Sequence, residues 1–260
     1  MEKNKIVVLL TILLLSANGV LFAQHARFVN SGTITYEKRV NMFAVLTRRY
    51  AKSKSSFMEQ ALEQYKKSQP QFQTFQSTLS FNKSAALYTP IEQNKPSGGF
   101  FGNDPTIDLK KIIYTDFNTK KSISQKTLYE ETYLIEDTTR QIHWKITSET
   151  REIAGYNCRR ANALVMDSIY VVAFYTDQIP VSGGPESFTG LPGMILGLAL
   201  PHENVTWFAT KVEDASVPQA NLNPPKKGTK FDNAGLLKSL KENLEDWGEY
   251  AQDILKAMML

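Results

Sequence analysis

The stretch of sequence that decides the fold is Ile179-Pro-Val-Ser-Gly-Gly-Pro-Glu-Ser-Phe-Thr-Gly-Leu-Pro-Gly-Met-Ile-Leu196. It places turn-forming residues between two apolar runs that are typical of strands. In Leu191-Pro192-Gly193, proline presets φ at the second position of a turn and glycine accepts a positive φ at the third, which is the type II pattern. An apolar run over residues 194–200 follows at once. The stretch therefore predicts a loop that leads into a strand, and it holds no active-site signature.

Short motifs on both sides of this loop point to a family. In chain order they comprise Trp144, Gly-Tyr156-Asn-Cys, Phe-Tyr175-Thr, Gly184-Pro185, Gly190-Leu-Pro-Gly-Met-Ile and a Pro-Lys-Lys-Gly over residues 225–228. Together they resemble the GLPGLI family of secreted Bacteroidetes proteins, over roughly residues 32–228. Met194 stands where the family has its second leucine, which is a volume-conserving exchange. Because that family has no firmly assigned activity, the resemblance implies a location and a fold but no reaction.

The first residues have the layout of a secretory signal peptide. Lys3 and Lys5 precede an apolar run over residues 6–15, and a short exit ends at Ala23. About 20 apolar residues are needed to cross a bilayer, so a retained membrane anchor is the less favoured alternative. We expect cleavage near Ala23 and a mature chain over residues 24–260 that is periplasmic or secreted and has no transmembrane segment.

Composition excludes two classes of protein. Cys158 is the only cysteine, so a disulfide framework is excluded even in an oxidising compartment. The formal net charge of +4 is small, and the basic residues form no run, which disfavours nucleic-acid binding. Nothing divides the mature chain cleanly, and we expect residues 24–260 to form a single domain held together by its core.

Hydrophobic periodicity predicts an α+β fold. Short strand-like runs, of which residues 75–81 and 142–146 alternate with period two, indicate strands at residues 33–40, 75–81, 110–117, 120–129, 133–136, 142–150, 156–165 and 170–176, joined as an antiparallel meander. Residues 169–175 are apolar on both faces and, with the runs over residues 194–200 and 205–208, would form the centre of the sheet or one face of an open apolar cavity. A period near 3.6 predicts an N-terminal helix over residues 42–67, capped by Asn41, and an amphipathic C-terminal helix over residues 232–259. The order of elements resembles that of periplasmic lipoprotein carriers, which implies a curved antiparallel sheet in the form of a half-open barrel.

Two loops carry apolar side chains that are candidates for binding. Phe100 and Phe101 lie in the loop over residues 95–105, and exposed aromatic residues on a loop can mark a contact site. The second loop, which we term the motif loop, covers residues 179–193. We expect its Phe188 and Leu191 to be partly exposed and, with Pro192 and Gly193, to contact a ligand or partner. The alternative is that the phenylalanines pack back onto the sheet and that Leu191 closes one end of the core.

The inventory of catalytic and metal-binding residues is thin. Cys158 with His143 or His202 lacks any neighbour that marks an activated thiolate, and Ser187 lacks the glycine spacing of a nucleophile elbow. His202-Glu203 has no second histidine at helical spacing, and Asn103, Asp104 and Asp108 lack the rest of a calcium loop. We therefore expect no catalytic site, no metal and no cofactor.

These observations favour a non-enzymatic binding or chaperone-like protein of the periplasm. Its partner would be an outer-membrane protein, such as a TonB-dependent transporter, or an apolar ligand. One alternative is a structural subunit of an outer-membrane complex that docks through residues 183–193, and another is a hydrolase. A lined cavity of several hundred Å³ would distinguish ligand carriage from both.

Overall fold

The computed structural model describes residues 28–51, 55–93, 101–102 and 104–260. The expected signal peptide, Phe100 and Asn103 lie outside these residues. The strands are β1 (Gly32–Asn41), β2 (Phe72–Phe81), β3 (Ala85–Pro90), β4 (Lys110–Asp116), β5 (Lys121–Leu128), β6 (Glu131–Thr138), β7 (Lys145–Ile153), β8 (Tyr156–Val165), β9 (Ile169–Thr176), β10 (Met194–Leu200), β11 (Val205–Asp214) and β12 (Thr229–Phe231). The α-helices are α1 (Met42–Tyr50), α2 (Ser56–Ser68), α3 (Asn233–Asn243) and α4 (Gly248–Met259).

All twelve strands of the described chain belong to one unclosed sheet. Their order is β12-β6-β5-β4-β3-β2-β1-β11-β10-β9-β8-β7. Neighbouring strands are antiparallel except for β12, which runs parallel to β6 and makes the sheet mixed. The first strand therefore lies in the middle, with one meander on each side of it.

This order corrects the predicted single meander. β6 and β7 follow one another in the chain, yet they lie near opposite ends of the sheet. Alternation within each strand cannot reveal this break, because it reports which face is buried and not which strand is the neighbour. The predicted strand over residues 142–150 begins only at Lys145, and Ile146 is 40% exposed at the edge. β3 was not predicted.

Both predicted helices are divided in two. Asn41 caps α1 as predicted, because its side chain accepts a hydrogen bond from the Ala44 amide at 3.2 Å. The polar residues that interrupt the apolar period fall between α1 and α2. At the other end, Asp232 caps α3 by accepting from the Gly235 amide at 2.7 Å. The predicted C-terminal helix is interrupted between α3 and α4, and Gly248 has a φ of 57° at the start of α4.

Side chains from distant strands share one buried cluster, as expected for a curved sheet. The cluster contains residues of β1 to β4 and of β8 to β11 together with the motif loop, Ile179 to Gly193. Within it, the Tyr36 hydroxyl of β1 donates a 2.6 Å hydrogen bond to the Ile195 carbonyl of β10. A second cluster packs α3 and α4 against β5 and β6. The sheet and α4 thus enclose the loop from several sides.

Candidate functional site

The motif loop lies inside the molecule, which corrects the expectation that it is exposed. Phe188 is 0% exposed and Leu191 is 2% exposed. The indole nitrogen of Trp144 donates a 2.9 Å hydrogen bond to the Thr189 carbonyl, and the Ser182 hydroxyl accepts from the Gly190 amide at 3.0 Å. Packing and hydrogen bonds together hold the loop against the core, so its apolar residues are unavailable to a partner. Gly190 and Pro192 are the exposed residues at the turn.

Glycine is required at position 193 for a reason other than the predicted positive φ. The positive φ falls on Gly190, at 96°, and Gly193 does not adopt one. A Cβ atom at Gly193 would lie 2.1 Å from the Thr176 carbonyl oxygen, and one at Gly184 would lie 2.6 Å from the Phe188 carbonyl oxygen. Backbone segments therefore approach each other too closely for any side chain at either glycine.

The remaining motif residues pack around the same loop. Pro185 is buried and Tyr175 is 2% exposed, while Trp144 and Tyr156 are partly buried against the main cluster. The motif therefore describes how one end of the core is built. Within the loop, Glu186 is the residue that lines the largest cavity described below.

Phe101 is also buried, which contradicts its interpretation as an exposed loop contact. Its ring centroid lies 5.5 Å from that of Tyr50 and 5.7 Å from that of Tyr65. These contacts place Phe101 in the small cluster beneath α1 and α2. Burial of aromatic surface is strongly favourable, and it outweighs the flexibility that the glycine-rich sequence suggests.

A cavity of about 510 Å³ lies where β3 and β4 separate. Their ladder runs only to the pair Tyr88 and Ile113, although β3 continues to Pro90 and β4 begins at Lys110. Proline cannot donate a ladder hydrogen bond, which helps to end the pairing. Residues of both faces of the sheet line the cavity, so the separation forms an opening through the sheet.

Polar side chains lie on the inner face of the sheet, beside this cavity and an adjoining one of about 100 Å³. We term them the polar band: Lys38, Ser77, Tyr88, Lys111 and Trp207, with Glu186 facing them from the motif loop. Trp207 lines the smaller cavity, Ser77 and Tyr88 line the larger one, and Lys38, Lys111 and Glu186 line both. Lys38 lies between Phe75 and Trp207 in the register of β2, β1 and β11. Its ammonium nitrogen is 5.6 Å and 5.3 Å from the two ring centroids, which is the geometry of cation–π contacts.

Glu186 joins the motif loop to the polar band. It is 5% exposed and has a φ of 52°, which is unusual for a residue with a side chain. Burial raises the pKa of its carboxyl, but the charges of Lys111 and Lys38 outweigh burial and lower that pKa below its ordinary value. The Lys111 ammonium donates to the carboxylate at 2.6 Å. Both side chains are buried, so this ion pair ties the motif loop to β4 beside the cavity.

A second buried lysine lies opposite Lys111 in the ladder of β4 and β5. Lys126 donates a hydrogen bond to the Met258 carbonyl at the end of α4. Burial, followed by the charge of Lys111, lowers the pKa of Lys126 well below its ordinary value. The second cause is the pairing of two buried lysines in one ladder, where like charges repel.

Three uncharged polar groups converge in the polar band. The Ser77 hydroxyl and the Trp207 indole nitrogen are buried, and neither makes a hydrogen bond of ordinary length and angle within the described part of the chain. Burial, the largest effect, and the Glu186 charge raise the pKa of the Tyr88 phenol, so the phenol stays protonated. Contacts of the Ser77 and Trp207 polar atoms with the Tyr88 hydroxyl, which fall outside the length and angle of ordinary hydrogen bonds, lower that pKa in part. Unsatisfied buried polar atoms are uncommon in proteins and call for an explanation.

The sequence contained a faint signal of the polar band. Lys38 follows the core residues Ile34 and Tyr36 at intervals of two, and Ser77 stands between Phe75 and Leu79. A polar residue at a position whose neighbours two residues away face the core is a candidate for a buried site. The sequence does not show which strands are neighbours in the sheet. It therefore could not predict that these residues lie close together.

The residues considered for catalysis lie apart from the cavity. Cys158 is buried, and burial raises the pKa of its thiol to about 12. His143 and His202 are exposed. The Ser187 hydroxyl donates to the Leu260 carbonyl at 2.6 Å, and Asp104 accepts from Arg49 and Thr106.

Metal-binding and membrane-spanning features are likewise not found in the described residues. Among them, no group of three or more His, Cys, Asp or Glu side chains is placed to hold a metal ion. None of the helices in residues 28–51, 55–93, 101–102 and 104–260 combines the length and apolar character needed to cross a bilayer.

A family model described as "Protein of unknown function (Porph_ging)" matches residues 164–197, which hold β9 and the motif loop. No curated protein matches the chain. Two crystal forms of PNGF-II have TM-scores of 0.49 and 0.47 at 16% identity, over 78% of this chain and 31% of those chains. An uncharacterized conserved protein from Thermus thermophilus has a TM-score of 0.38 at 6% identity, over 84% of this chain and 99% of that one. These likenesses establish no shared activity.

Proposed function

We propose that this protein is a non-enzymatic binding protein of the periplasm that holds an apolar ligand and acts with outer-membrane components. We further propose that it belongs to the GLPGLI family and that its curved sheet serves as a half-open barrel of the lipoprotein-carrier kind. TonB-dependent transporters are the class of outer-membrane partner that we favour. The observation that supports ligand carriage best is the cavity of about 510 Å³ between β3 and β4.

The size and walls of the cavity suit a small amphiphilic molecule. Ligand pockets in proteins generally enclose about 300 to 1,000 Å³ and combine apolar walls with a few polar groups. Here Phe75, Leu109 and Ile112 supply apolar wall, and the polar band supplies the polar groups. The opening through the sheet gives an apolar chain a lateral route to the interior.

The burial of the motif loop weakens the alternative of a docking subunit. That alternative assigned the docking surface to residues 183–193, where Phe188 and Leu191 are enclosed by the core. An apolar side chain that is already buried contributes little to a protein interface. Ligand carriage does not need the loop to be exposed, because the loop then serves only to hold Glu186 against the cavity wall.

Titration with the neutral fluorescent probe N-phenyl-1-naphthylamine tests this function. We expect saturable binding by the purified protein and a loss of at least about tenfold in affinity for Ile112→Trp, whose larger side chain fills the cavity. Leu164→Trp is the matched control, because Leu164 is 62% exposed on β8. Absence of saturable binding, or equal losses in both variants, would reject the cavity as the binding site.

A further inference from the structure

We propose that the cavity selects an anionic amphiphile, in which an oxyanion head group such as a carboxylate is attached to an apolar chain. The head group would be held by Ser77, Tyr88 and Trp207 beside Lys38, and the chain would lie along the wall towards Ile112. This inference rests on the proposed function, since it names the class of ligand that the same cavity takes.

Three groups of the polar band carry only hydrogen-bond donors: the ammonium groups of Lys38 and Lys111 and the Trp207 indole. Glu186 is the acidic member of the band, and Lys111 donates to it at 2.6 Å. The Trp207 indole nitrogen can be satisfied only by an acceptor atom, such as an oxygen of a carboxylate or phosphate.

The two unsatisfied polar atoms locate the head group. Ser77 and Trp207 are each 3% exposed, and their polar atoms lack a hydrogen bond of ordinary geometry. Leaving a buried donor unsatisfied is unfavourable, whereas a hydrogen bond from such a donor to an ionised acceptor is among the stronger ones in proteins. Tyr88 lies against both residues, so a ligand oxygen that accepts from Ser77 or Trp207 would also lie beside the Tyr88 hydroxyl.

The charges beside this point favour an anion over a cation. The Lys38 ammonium lies above the Trp207 ring and also donates to the Ile107 carbonyl at 2.9 Å. The buried carboxylate of Glu186 is bound by Lys111 at 2.6 Å. Glu92 and Asp108 also line the cavity, but both are exposed, and Glu92 pairs with Lys110 at 3.2 Å. The charge nearest to Ser77 and Trp207 is therefore the Lys38 ammonium group. In a region of low dielectric constant, the repulsion between like charges is strong.

Displacement of N-phenyl-1-naphthylamine by four matched ligands tests the head group: dodecanoate, dodecyl phosphate, dodecanol and dodecyltrimethylammonium. We expect both anions to displace the probe at concentrations roughly tenfold lower than dodecanol, and the cation to be the weakest. The two anions together test the shared chemistry, and their order identifies the preferred oxyanion. If dodecanol equals the anions or the cation is preferred, the inference is wrong while the proposed function stands. If no ligand displaces the probe, the proposed function fails as well.

Variants of the two unsatisfied residues separate a ligand site from a pair of atoms that bind only water. For Ser77→Ala and Trp207→Phe, we expect the ratio of dodecanoate to dodecanol affinity to fall towards one, with thermal stability at or above that of the native chain. Ser80→Ala is the control, because Ser80 lies on the same strand and its hydroxyl pairs instead with that of Thr33 at 3.2 Å. An unchanged ratio in both variants would contradict the inference.

Discussion

The motif loop and the polar band lie side by side in the interior but differ in how well their groups are packed and hydrogen-bonded. In the loop, apolar side chains are enclosed and two backbone segments approach within the space of a methyl group at Gly193. In the band, buried polar atoms of Ser77 and Trp207 lack ordinary hydrogen bonds beside a cavity. The loop is thus packed and hydrogen-bonded as it stands, whereas we propose that a ligand completes the band. A conspicuous motif in a sequence can therefore mark how a core is assembled, and the residues that we propose for binding carry no motif.

The largest effect should come from a methyl group in the loop. We expect Gly193→Ala to lower the free energy of unfolding by more than about 4 kcal/mol, because its Cβ would lie 2.1 Å from the Thr176 carbonyl oxygen and the backbone would have to move. Gly155→Ala is the control, since Gly155 has a φ of 82° and no atom near its Cβ position, and should cost about 1 kcal/mol. Urea denaturation measures both. Equal costs would mean that close approach is not what the loop requires.

The second largest effect tests the residue that joins the two regions. Lys111→Met leaves the buried Glu186 carboxylate without its 2.6 Å partner and should cost about 4 kcal/mol. The double variant Lys111→Met/Glu186→Gln should recover most of that loss, because no uncompensated charge remains. Lys110→Met is the control, since the exposed Lys110 pairs with the exposed Glu92 at 3.2 Å and should cost under about 1 kcal/mol. A double variant as unstable as the single one would show that the charge pair is not the cause.

The third prediction tests whether Leu191 of the motif stabilises the core or contacts a ligand. Leu191→Ser removes a buried apolar side chain and buries a hydroxyl, so we expect a loss of about 3 kcal/mol. Leu164→Ser, at an exposed position on β8, should change stability by less than about 0.5 kcal/mol. Thermal melts report stability, and titration with N-phenyl-1-naphthylamine reports binding by the folded fraction. If Leu191→Ser had normal stability but did not bind the probe, the motif loop would be a binding surface after all.

The smallest effect concerns Cys158, which is buried in the same cluster as the loop. Because burial raises the pKa of its thiol from 9.0 to about 12, the folded state retains a proton that the unfolded state loses above pH 9. Stability should therefore fall as the pH rises above 9, by about 1 kcal/mol near pH 10, relative to Cys158→Ala. Denaturation of both proteins at pH 7 and pH 10 measures the difference. If the Cys158 thiol of the folded protein instead reacted readily with iodoacetamide at pH 8, it would be an accessible, reactive thiol and not a buried core residue.

Local patterns predicted the strands of the fold well. The alternation in residues 75–81 and the cap at Asn41 are short-range signals, and the structure confirms both. The order of the strands could not be predicted, since β1 pairs with β2 and also with β11, more than a hundred residues later. The break at Gly248 was missed because the apolar period continues across it, and a positive φ leaves no mark on periodicity.

The polar band could not be assembled from the sequence for the same reason. Its strand residues lie on β4, β3, β2, β1 and β11, which are consecutive neighbours in the sheet, and this order brings them together. A single lysine or serine in an alternating strand can lie on a solvent-exposed face or on a buried one. The topology of the sheet is needed to tell which face is buried. The motif loop was located correctly, but its exposure was not, because turn-forming residues indicate a loop without indicating what covers it.

The central claim is that the cavity at the polar band holds the head group of a ligand. The most direct test is a crystal structure of the full mature chain with a fatty acid brominated along its chain. We expect the anomalous signal of bromine between β3 and β4, and a carboxylate oxygen within about 3.2 Å of both Trp207 Nε1 and Ser77 Oγ. Bromine found only on the outer surface, with an empty cavity at saturating ligand, would contradict the claim.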